Sequence, residues 1–290
     1  MDKIYDYLTE SFLREHVRFS LQEDLPEGDT TTEKTVLPDK SGKGLFVARE
    51  PGIFCGSIVV EEVFCQITDF ITGGETVELS WHIEEGDEFE KDEVIGQAVG
   101  SLRYLLAAER VALNYLQELC GVAVATRKLV KKVDEFGTKI YDTRKTVPHH
   151  RLLQKYAVVI GGGYNHRLDL AGIMVKDNHK QAAGGIAAAL NSLRTELEKS
   201  EVVVEIHSPD ELKAINNFDI DVVMLDNIPV SSLEQYCSLL PEGIAVEVSG
   251  GIDETNVVDY ARAGVDRISS GAITHSYDNL DVSFKTVSPQ

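Results

Sequence analysis

At 290 residues, with 43% apolar and 26% charged side chains, the chain is long enough for a well-buried core and for two domains, and its composition excludes a low-complexity protein. The 28 Lys and Arg against 48 Asp and Glu leave a net charge of -20, which opposes general binding to nucleic acid or to an anionic membrane. The four cysteines, at 55, 65, 120 and 237, have neither zinc-site spacing nor the density of a disulfide-stapled domain, so all four read as buried thiols.

Residues 3–24 predict a helix with Ile4, Leu8, Phe12, Leu13 and Leu21 as an intermittent apolar face, broken by Pro26 and Gly28. This start is too acidic and interrupted for a signal peptide, and no apolar stretch reaches membrane-span length, so a cytoplasmic protein is expected. Over 36–100 the runs GKGLFVARE, GSIVVEEVFCQI, ETVELSWHI and DEVIGQAVG alternate with glycines and charged turns and predict a small, mostly antiparallel domain. The stretch EEGDEFEKDEVI at 84–95 has the turn pattern of a biotinyl or lipoyl domain but no attachment lysine.

Residues 101–119 predict the clearest helix, because Leu102, Leu105, Leu106, Leu113 and Leu116 recur at three- and four-residue steps. Arg110 lies on the other stripe, with Arg103, Ala107, Asn114 and Gln117, where pattern alone makes it a solvated surface charge. Gly121 is placed as the C-cap, and a second helix over about 123–135 follows.

From 139 to 271 one device recurs seven times: a short apolar run that stops on charged, polar or glycine residues, in KIYDTRKT, VVIGGGYNHR, IMVKDNH, VVVEIH, VVMLDN, AVEVSGG and RISSGA. The later runs start roughly 20 to 29 residues apart, room for a strand, a crossover helix and two loops, which is the βαβ unit of a parallel sheet. GGIAAALNSLRTELEKS, SPDELKAINN, SSLEQYCSLL and DETNVVDYARAG supply the helices, and Ser208-Pro209 is a helix start. The gap from VVIGGG to IMVKDNH is short, so that crossover is abbreviated or irregular, and the tail LDVSFKTV predicts an extra strand.

If the runs are parallel strands of an α/β barrel, their ends converge on one rim. Arg144 then offers a planar fork for a carboxylate and Lys145 a compact cation for phosphate oxygens. His166 and Arg167 follow Gly161-Gly162-Gly163, and Lys176 neutralises an anionic group with Asp177 to orient it, a Schiff-base lysine being the alternative. Glu205 and Asp226 are hard oxygen donors suited to Mg²⁺ held through water and substrate phosphates. Ser249-Gly250-Gly251 and Ser269-Ser270-Gly271-Ala272 expose backbone amides suited to a phosphate monoester. Charge follows the same division: residues 121–180 hold 12 basic and 5 acidic side chains, a net +7, against 16 and 43 elsewhere. The rim binds a polyanion.

The wording of these segments resembles a known family. LPEGDTTT at 25–32, AERVALNYLQELCGVAVAT at 108–126, DTRKT at 142–146, GGGYNHR at 161–167, KDNH at 176–179, VEIHSPDEL at 204–212, MLDN at 224–227, SGGI at 249–252 and GAITHS at 271–276 are similar, in order, to quinolinate phosphoribosyltransferase. The resemblance implies the type II phosphoribosyltransferase fold, an N-terminal α/β sandwich domain (1–112), an incomplete seven-stranded α/β barrel (113–272) and a C-terminal segment (273–290) returning to the N-terminal domain. It implies transfer of phosphoribosyl from 5-phosphoribosyl-1-pyrophosphate to quinolinate, with Mg²⁺ and with loss of CO₂.

Carried over by motif, Arg144, His166, Arg167 and Lys176 surround quinolinate, with Lys145 near the reacting groups. Glu205 and Asp226 face the ribose and the Mg²⁺-pyrophosphate, and Ser249, Gly250, Gly251, Gly271 and His275 lie at the 5′-phosphate. In a homodimer, or a higher oligomer built on it, Arg110 reaches quinolinate from the partner subunit, a role its stripe outside the core permits. The chain departs from the family pattern at Val147-Pro148-His149-His150 and at Asp169-Leu170-Ala171-Gly172. A nicotinate or other aromatic-acid acceptor, and a noncatalytic anion-binding barrel, are the rival readings.

Overall fold

The structure is a computed structural model and describes residues 3–71, 76–197 and 200–287. Among them are twelve strands: β1 (Ser41–Ala48), β2 (Gly52–Ile53), β3 (Glu78–Trp81), β4 (Glu88–Phe89), β5 (Val94–Ser101), β6 (Lys139–Tyr141), β7 (Ile173–Val175), β8 (Val202–Ile206), β9 (Val222–Asp226), β10 (Ala245–Ser249), β11 (Arg267–Ser269) and β12 (Val282–Val287). The chain divides into two compact units, Met1–Ala125 with Leu152–Gly161 and Tyr277–Gln290, and Thr126–Arg151 with Gly162–Ser276. No helix among the described residues is long and apolar enough to cross a membrane.

In the first unit β12, β1, β5 and β3 form an antiparallel sheet in that order, and β2 pairs with β4. Phe46 of β1 packs against Trp81 and Phe284 at 5.0 and 4.8 Å between ring centroids, and against Phe64 at 6.3 Å. Phe64 belongs to the helix Ser57–Phe70, so this contact seals a helical layer onto the sheet and makes an α/β sandwich.

That helix corrects the reading of GSIVVEEVFCQI as a strand. Val59, Val60, Val63, Phe64 and Ile67 are buried at helical spacing. The Glu85 carboxylate accepts from the Gly56 and Ser57 amides at 2.9 and 2.6 Å, neutralising the first turn. The β-branched residues suit either state, and the cap lies 28 residues downstream. ETVELSWHI is a strand over Glu78–Trp81, with Glu75 outside the described residues. The predicted N-terminal helix is two, Ile4–Tyr7 and Glu10–Asp24, because Thr9 caps the second by accepting from the Phe12 amide. Cysteine burial is mixed: Cys55 and Cys120 are buried, but Cys65 is exposed and Cys237 intermediate, and all are free thiols.

Gly121 ends nothing. A single helix runs Leu102–Val133 through both helices expected there. A Cβ at Gly121 would stand 2.3 Å from the Asp278 carbonyl oxygen, so the glycine marks a close backbone approach.

In the second unit every strand pairing is parallel, in the order β6-β11-β10-β9-β8-β7. Six of the seven runs are strands. The second is not: Val158-Val159-Ile160 close the helix Arg151–Ile160, and only Tyr164 keeps the strand position, by one parallel bridge to Tyr141. Tyr164 and β7 therefore flank an open seam in a sheet otherwise ordered as a barrel, and the irregular crossover expected before IMVKDNH is the 165–172 segment. The crossover helices Pro209–Ile215, Val230–Cys237 and Val257–Arg262 lie in the expected segments, and the Ser208 hydroxyl caps the first by accepting from the Glu211 amide. The segment 184–200 is two short helices, Ile186–Ser192 and Arg194–Leu197, with residues 198 and 199 outside the described residues.

Helix propensity alone makes Gly121→Ala stabilising by about 1 kcal/mol. The Asp278 carbonyl reverses the sign: overpacking costs about 1–3 kcal/mol, so thermal denaturation of Gly121→Ala is expected to show a lower Tm than the parent, and an unchanged or higher Tm would refute the close approach.

Candidate active site

Parallel register decides which residues share the barrel interior. Ala245, Glu247 and Ser249 of β10 stand beside Val222, Met224 and Asp226 of β9, Glu205 of β8 beside Met224, and Met174 of β7 beside Val203. Met174, Val203, Val222 and Met224 form a buried cluster with Ala245, so this face is the packed interior. Side chains alternate along a strand. Glu205, Asp226 and Ser249 thus rise from the same interior face toward its carboxyl end, with Arg144, Lys145, His166, Arg167, Lys176, Gly250, Gly251 and Gly271 on the turns that follow the strands or the Tyr164 bridge, and His275 on the short helix after β11.

The first cluster is built on a buried carboxylate. Asp142 is fully buried and accepts from the His166 amide and from Asn165 Nδ2, each at 2.8 Å, which fixes the turn after Tyr164. Arg167 is half-buried and anchored by its tip, Nη1 donating to the Gly172 carbonyl at 3.1 Å and Nη2 reaching the Met174 sulfur at 3.4 Å. Burial, then the like charge of Arg144, hold its guanidinium below the ordinary arginine range against the pull of Asp169. Arg144 Nε and Arg167 Nε are both sealed from solvent without a hydrogen-bond partner among the described residues. Two neighbouring cations with unanswered donors make a site for a planar anion with more than one carboxylate. The Asp169–Gly172 turn, where the sequence departs from the family pattern, closes on itself through Asp169 Oδ1 and the Ala171 amide (2.7 Å) and supplies the carbonyl that holds Arg167.

The second cluster sits where β7 and β8 end. Lys176 Nζ lies 3.5 Å from Glu205 Oε2, and His207 Nε2 lies 3.1 Å from Glu205 Oε1 and 2.8 Å from Asp177 Oδ2. Behind them the buried Lys180 donates to Asp177 (2.7 Å), Glu211 (2.6 Å) and the Glu205 carbonyl (3.1 Å). The Lys180 hydrogen bond is the chief reason the Asp177 carboxyl lies below its usual range. Asp177, Glu205 and His207 bring ligand atoms within 4.8 Å of one another. Their carboxylate oxygens are hard donors that fit Mg²⁺, and Lys176 and Lys180 stand against the same carboxylates. Asp226 is outside this group and receives Asn227 Nδ2 at 2.7 Å.

The third cluster joins strand ends far apart in sequence. Thr274 Oγ1 donates to the Lys145 carbonyl at 2.9 Å, tying the Arg144-Lys145 turn to the helix Ala272–His275. Space above Gly271 is lined by His275 Nε2 and the Lys145 stem, 2.8 and 3.1 Å from where a Cβ would stand. Gly250 has φ +99°, and a Cβ there would meet Asn227 Oδ1 at 2.4 Å, while the Asn227 amide donates to the Ser249 carbonyl at 2.9 Å. The β9 and β10 turns are therefore interlocked, with glycine required at the crossing.

The structure thus groups Arg144 with Arg167, Lys176 with Glu205, Lys145 with Gly271 and His275, and Asp226 with the Ser249-Gly250 turn through Asn227. Arg110 belongs to the other unit, exposed on the helix Leu102–Val133 as its stripe indicated. Sequence reasoning passed over Asp142, His207, Thr274 and the buried Glu247. His207 carried a signal, standing two places beyond Glu205 at the end of β8; Glu247, flanked by valines, carried none.

Comparison with known proteins agrees over almost the whole chain. Residues 29–120 match the quinolinate phosphoribosyl transferase N-terminal domain and residues 122–285 its C-terminal domain. The chain is 39% identical to a probable nicotinate-nucleotide pyrophosphorylase (carboxylating) of Bacillus subtilis, over 90% of this chain and 89% of that protein. It is 35% identical to the nicotinate-nucleotide pyrophosphorylase (carboxylating) of Mycobacterium leprae, over 93% and 95%. The solved nicotinate-nucleotide pyrophosphorylase of Francisella tularensis superposes with a TM-score of 0.89 at 36% identity, covering 97% of this chain and 98% of the other. An α/β sandwich followed by a parallel sheet ordered as an incomplete barrel is the fold shared with these enzymes, and the chain belongs to the quinolinate phosphoribosyltransferase family.

Proposed function

We infer that the chain catalyses the reaction of quinolinate with 5-phosphoribosyl-1-pyrophosphate, forming nicotinate mononucleotide, pyrophosphate and CO₂. It is a phosphoribosyltransferase of NAD synthesis. The observation that carries the acceptor assignment is the neighbouring pair of half-buried guanidiniums, Arg144 and Arg167, each with a buried Nε–H that has no hydrogen-bond partner among the described residues. Quinolinate brings two adjacent carboxylates on one planar ring and answers both.

In this reading Arg144, His166, Arg167 and Lys176 hold the dianion so that its ring nitrogen points at ribose C1. The nitrogen attacks C1 as the bond to pyrophosphate breaks, and positive character grows on the sugar. Glu205 and Asp226, on one interior face, lie where carboxylates stabilise that charge and hold the ribose hydroxyls. Lys145, beside Gly271 and His275, meets charge developing on the leaving group, and the amides of Ser249, Gly250, Gly251 and Gly271 with His275 receive the 5′-phosphate. Mg²⁺, held by Glu205 and Asp226 through water or substrate, would neutralise pyrophosphate oxygens when bound. Alkylation leaves the ring nitrogen positive. The C2–carboxylate bond then breaks with its electron pair staying on C2, which takes a proton as CO₂ departs. A pocket that gripped the 2-carboxylate too firmly would oppose this step, so its stronger contacts fall to the 3-carboxylate.

Arg110 completes the acceptor pocket from the partner subunit of a homodimer in this reading, which rests on the family resemblance and with which the exposure of Arg110 is compatible.

Incubation with quinolinate, 5-phosphoribosyl-1-pyrophosphate and Mg²⁺ is expected to give nicotinate mononucleotide and CO₂ in equal amounts. Turnover with nicotinate instead of quinolinate, or ligand binding without pyrophosphate release, would overturn the assignment. Arg144→Ala and Arg167→Ala are expected to raise the KM for quinolinate about ten- to a hundredfold, the worth of a charged hydrogen bond, while the KM for the phosphoribosyl donor stays near the parent's. Equal mixing of Arg110→Ala and Arg144→Ala proteins, with subunit exchange and assayed at a quinolinate concentration near the parent KM where each variant alone is nearly silent, is expected to restore roughly one quarter of the parent activity, since each mixed dimer regains one intact site. No recovery despite exchange shown by mass spectrometry would place Arg110 outside a shared site.

A further inference from the structure

Beneath the acceptor pocket lies an acid that the reaction as described does not use. Glu247, in the middle of β10, is fully buried on the barrel's interior face. Its Oε1 accepts from Ser269 Oγ of the neighbouring strand β11 and stands 3.4 Å from His166 Nε2. Its Oε2 is sealed from solvent and receives no hydrogen bond among the described residues. A buried carboxylate with an unanswered oxygen is costly, and an apolar residue would be the stable choice for a strand packed between Val246 and Val248.

The other nitrogen of His166 is also committed: Nδ1 accepts the backbone amide of Arg167 at 2.8 Å. An imidazole that accepts at Nδ1 carries its proton at Nε2, and that Nε2 stands at ion-pair distance from the Glu247 carboxylate without closing a hydrogen bond to it. The Nδ1 contact selects the tautomer, and the nearby negative charge favours it. The ring is also fixed in space, edge-on to Tyr141 at 6.2 Å between centroids.

We propose that Glu247 is a positioning residue for the acceptor pocket: it holds His166 in the tautomer whose Nδ1 secures the Arg167 backbone, and so sets where the Arg167 guanidinium stands. The chain of influence runs from a buried carboxylate through an imidazole to a backbone amide, and Asp142 holds the preceding amide of the same turn. Two buried acids, from β10 and from the end of β6, thereby fix a segment that has only a single bridge to the sheet. Metal-ligating histidines are oriented by carboxylates through their second nitrogen in the same way. Here the oriented group is an arginine that receives substrate. The proposal rests on Arg167 binding the acceptor.

Glu247→Gln, nearly isosteric, removes the charge, and Glu247→Leu removes the acceptor as well. Each is compared with the parent enzyme for the KM of both substrates, for Tm, and for the nitrogen shifts of His166 in ¹⁵N-labelled substrate-free protein. His166 of the parent is expected to show a protonated Nε2 and a bare Nδ1, and the variants a mixture of tautomers. The KM for quinolinate is expected to rise about tenfold in each, with the KM for the phosphoribosyl donor changed less than about twofold; in a His166→Phe background the Glu247 substitution is expected to add almost nothing. A single unchanged tautomer in the variants, or additive effects of the two substitutions, would overturn the positioning role. If Glu247→Leu does not fold, Glu247→Gln carries every arm. The nitrogen shifts need no substrate, so failure of the parent to bind quinolinate would strike the functional assignment and leave the tautomer result standing on its own.

Discussion

Two like charges held side by side govern the second unit. Arg144 and Arg167 repel, are partly withdrawn from water, and each keep one donor unsatisfied. Such an arrangement survives only if the surrounding structure overrides it. The means are visible: the Gly172 carbonyl and the Met174 sulfur hold the tip of Arg167, Asp142 holds the turn before it, and Thr274 holds the turn carrying Arg144. An anion with two carboxylates offsets the repulsion and satisfies both donors at once. Within a chain of net charge -20, this local excess of cations also gives two anionic substrates one place to go.

The part of the rim where β7 and β8 end shows the reverse arrangement. Glu205 and Asp177 are faced by the cations Lys176 and Lys180, with His207 Nε2 in contact with both carboxylates, so the carboxylates are balanced rather than bare. Lys180 is pulled down by its burial but raised overall by hydrogen bonds to Asp177 and Glu211, which keep it charged. The Arg144–Arg167 cluster is thus poised for an anion, while the neighbouring cluster holds carboxylates already paired with lysines. Charge separation across a single barrel mouth suits a reaction in which an anion is held and a cationic sugar develops.

Much of this was legible because barrel topology gathers residues by a rule. The ends of β6 to β11 carry DTRK, KD, EIH, LDN, SGG and SSGA, and once the strands are parallel their convergence follows. The rule failed where apolar sequence is ambiguous. Val158-Val159-Ile160 read equally as a buried strand or as the last turn of a helix, and GSIVVEEVFCQI became a helix through a cap from Glu85, which is distant in sequence. Gly121 looked like a helix end because nothing local reveals that the Asp278 backbone passes over it. Asp142 and Glu247 escaped notice for a related reason: an acid beside an apolar run signals a strand end or a surface, and only the folded barrel shows it sealed inside.

The open seam beside Tyr164 carries a consequence for how the molecule opens. β8, β9 and β10 are laddered on both sides, whereas the 165–172 segment has no ladder and is held chiefly through side chains. Amide hydrogens there are protected by side-chain contacts that break one at a time, and those of the central strands by a cooperative sheet. Exchange with solvent deuterium therefore begins at the turn bearing His166 and Arg167, with β9 among the last strands to exchange. The acceptor pocket is consequently the part of the barrel whose order a bound dianion changes most.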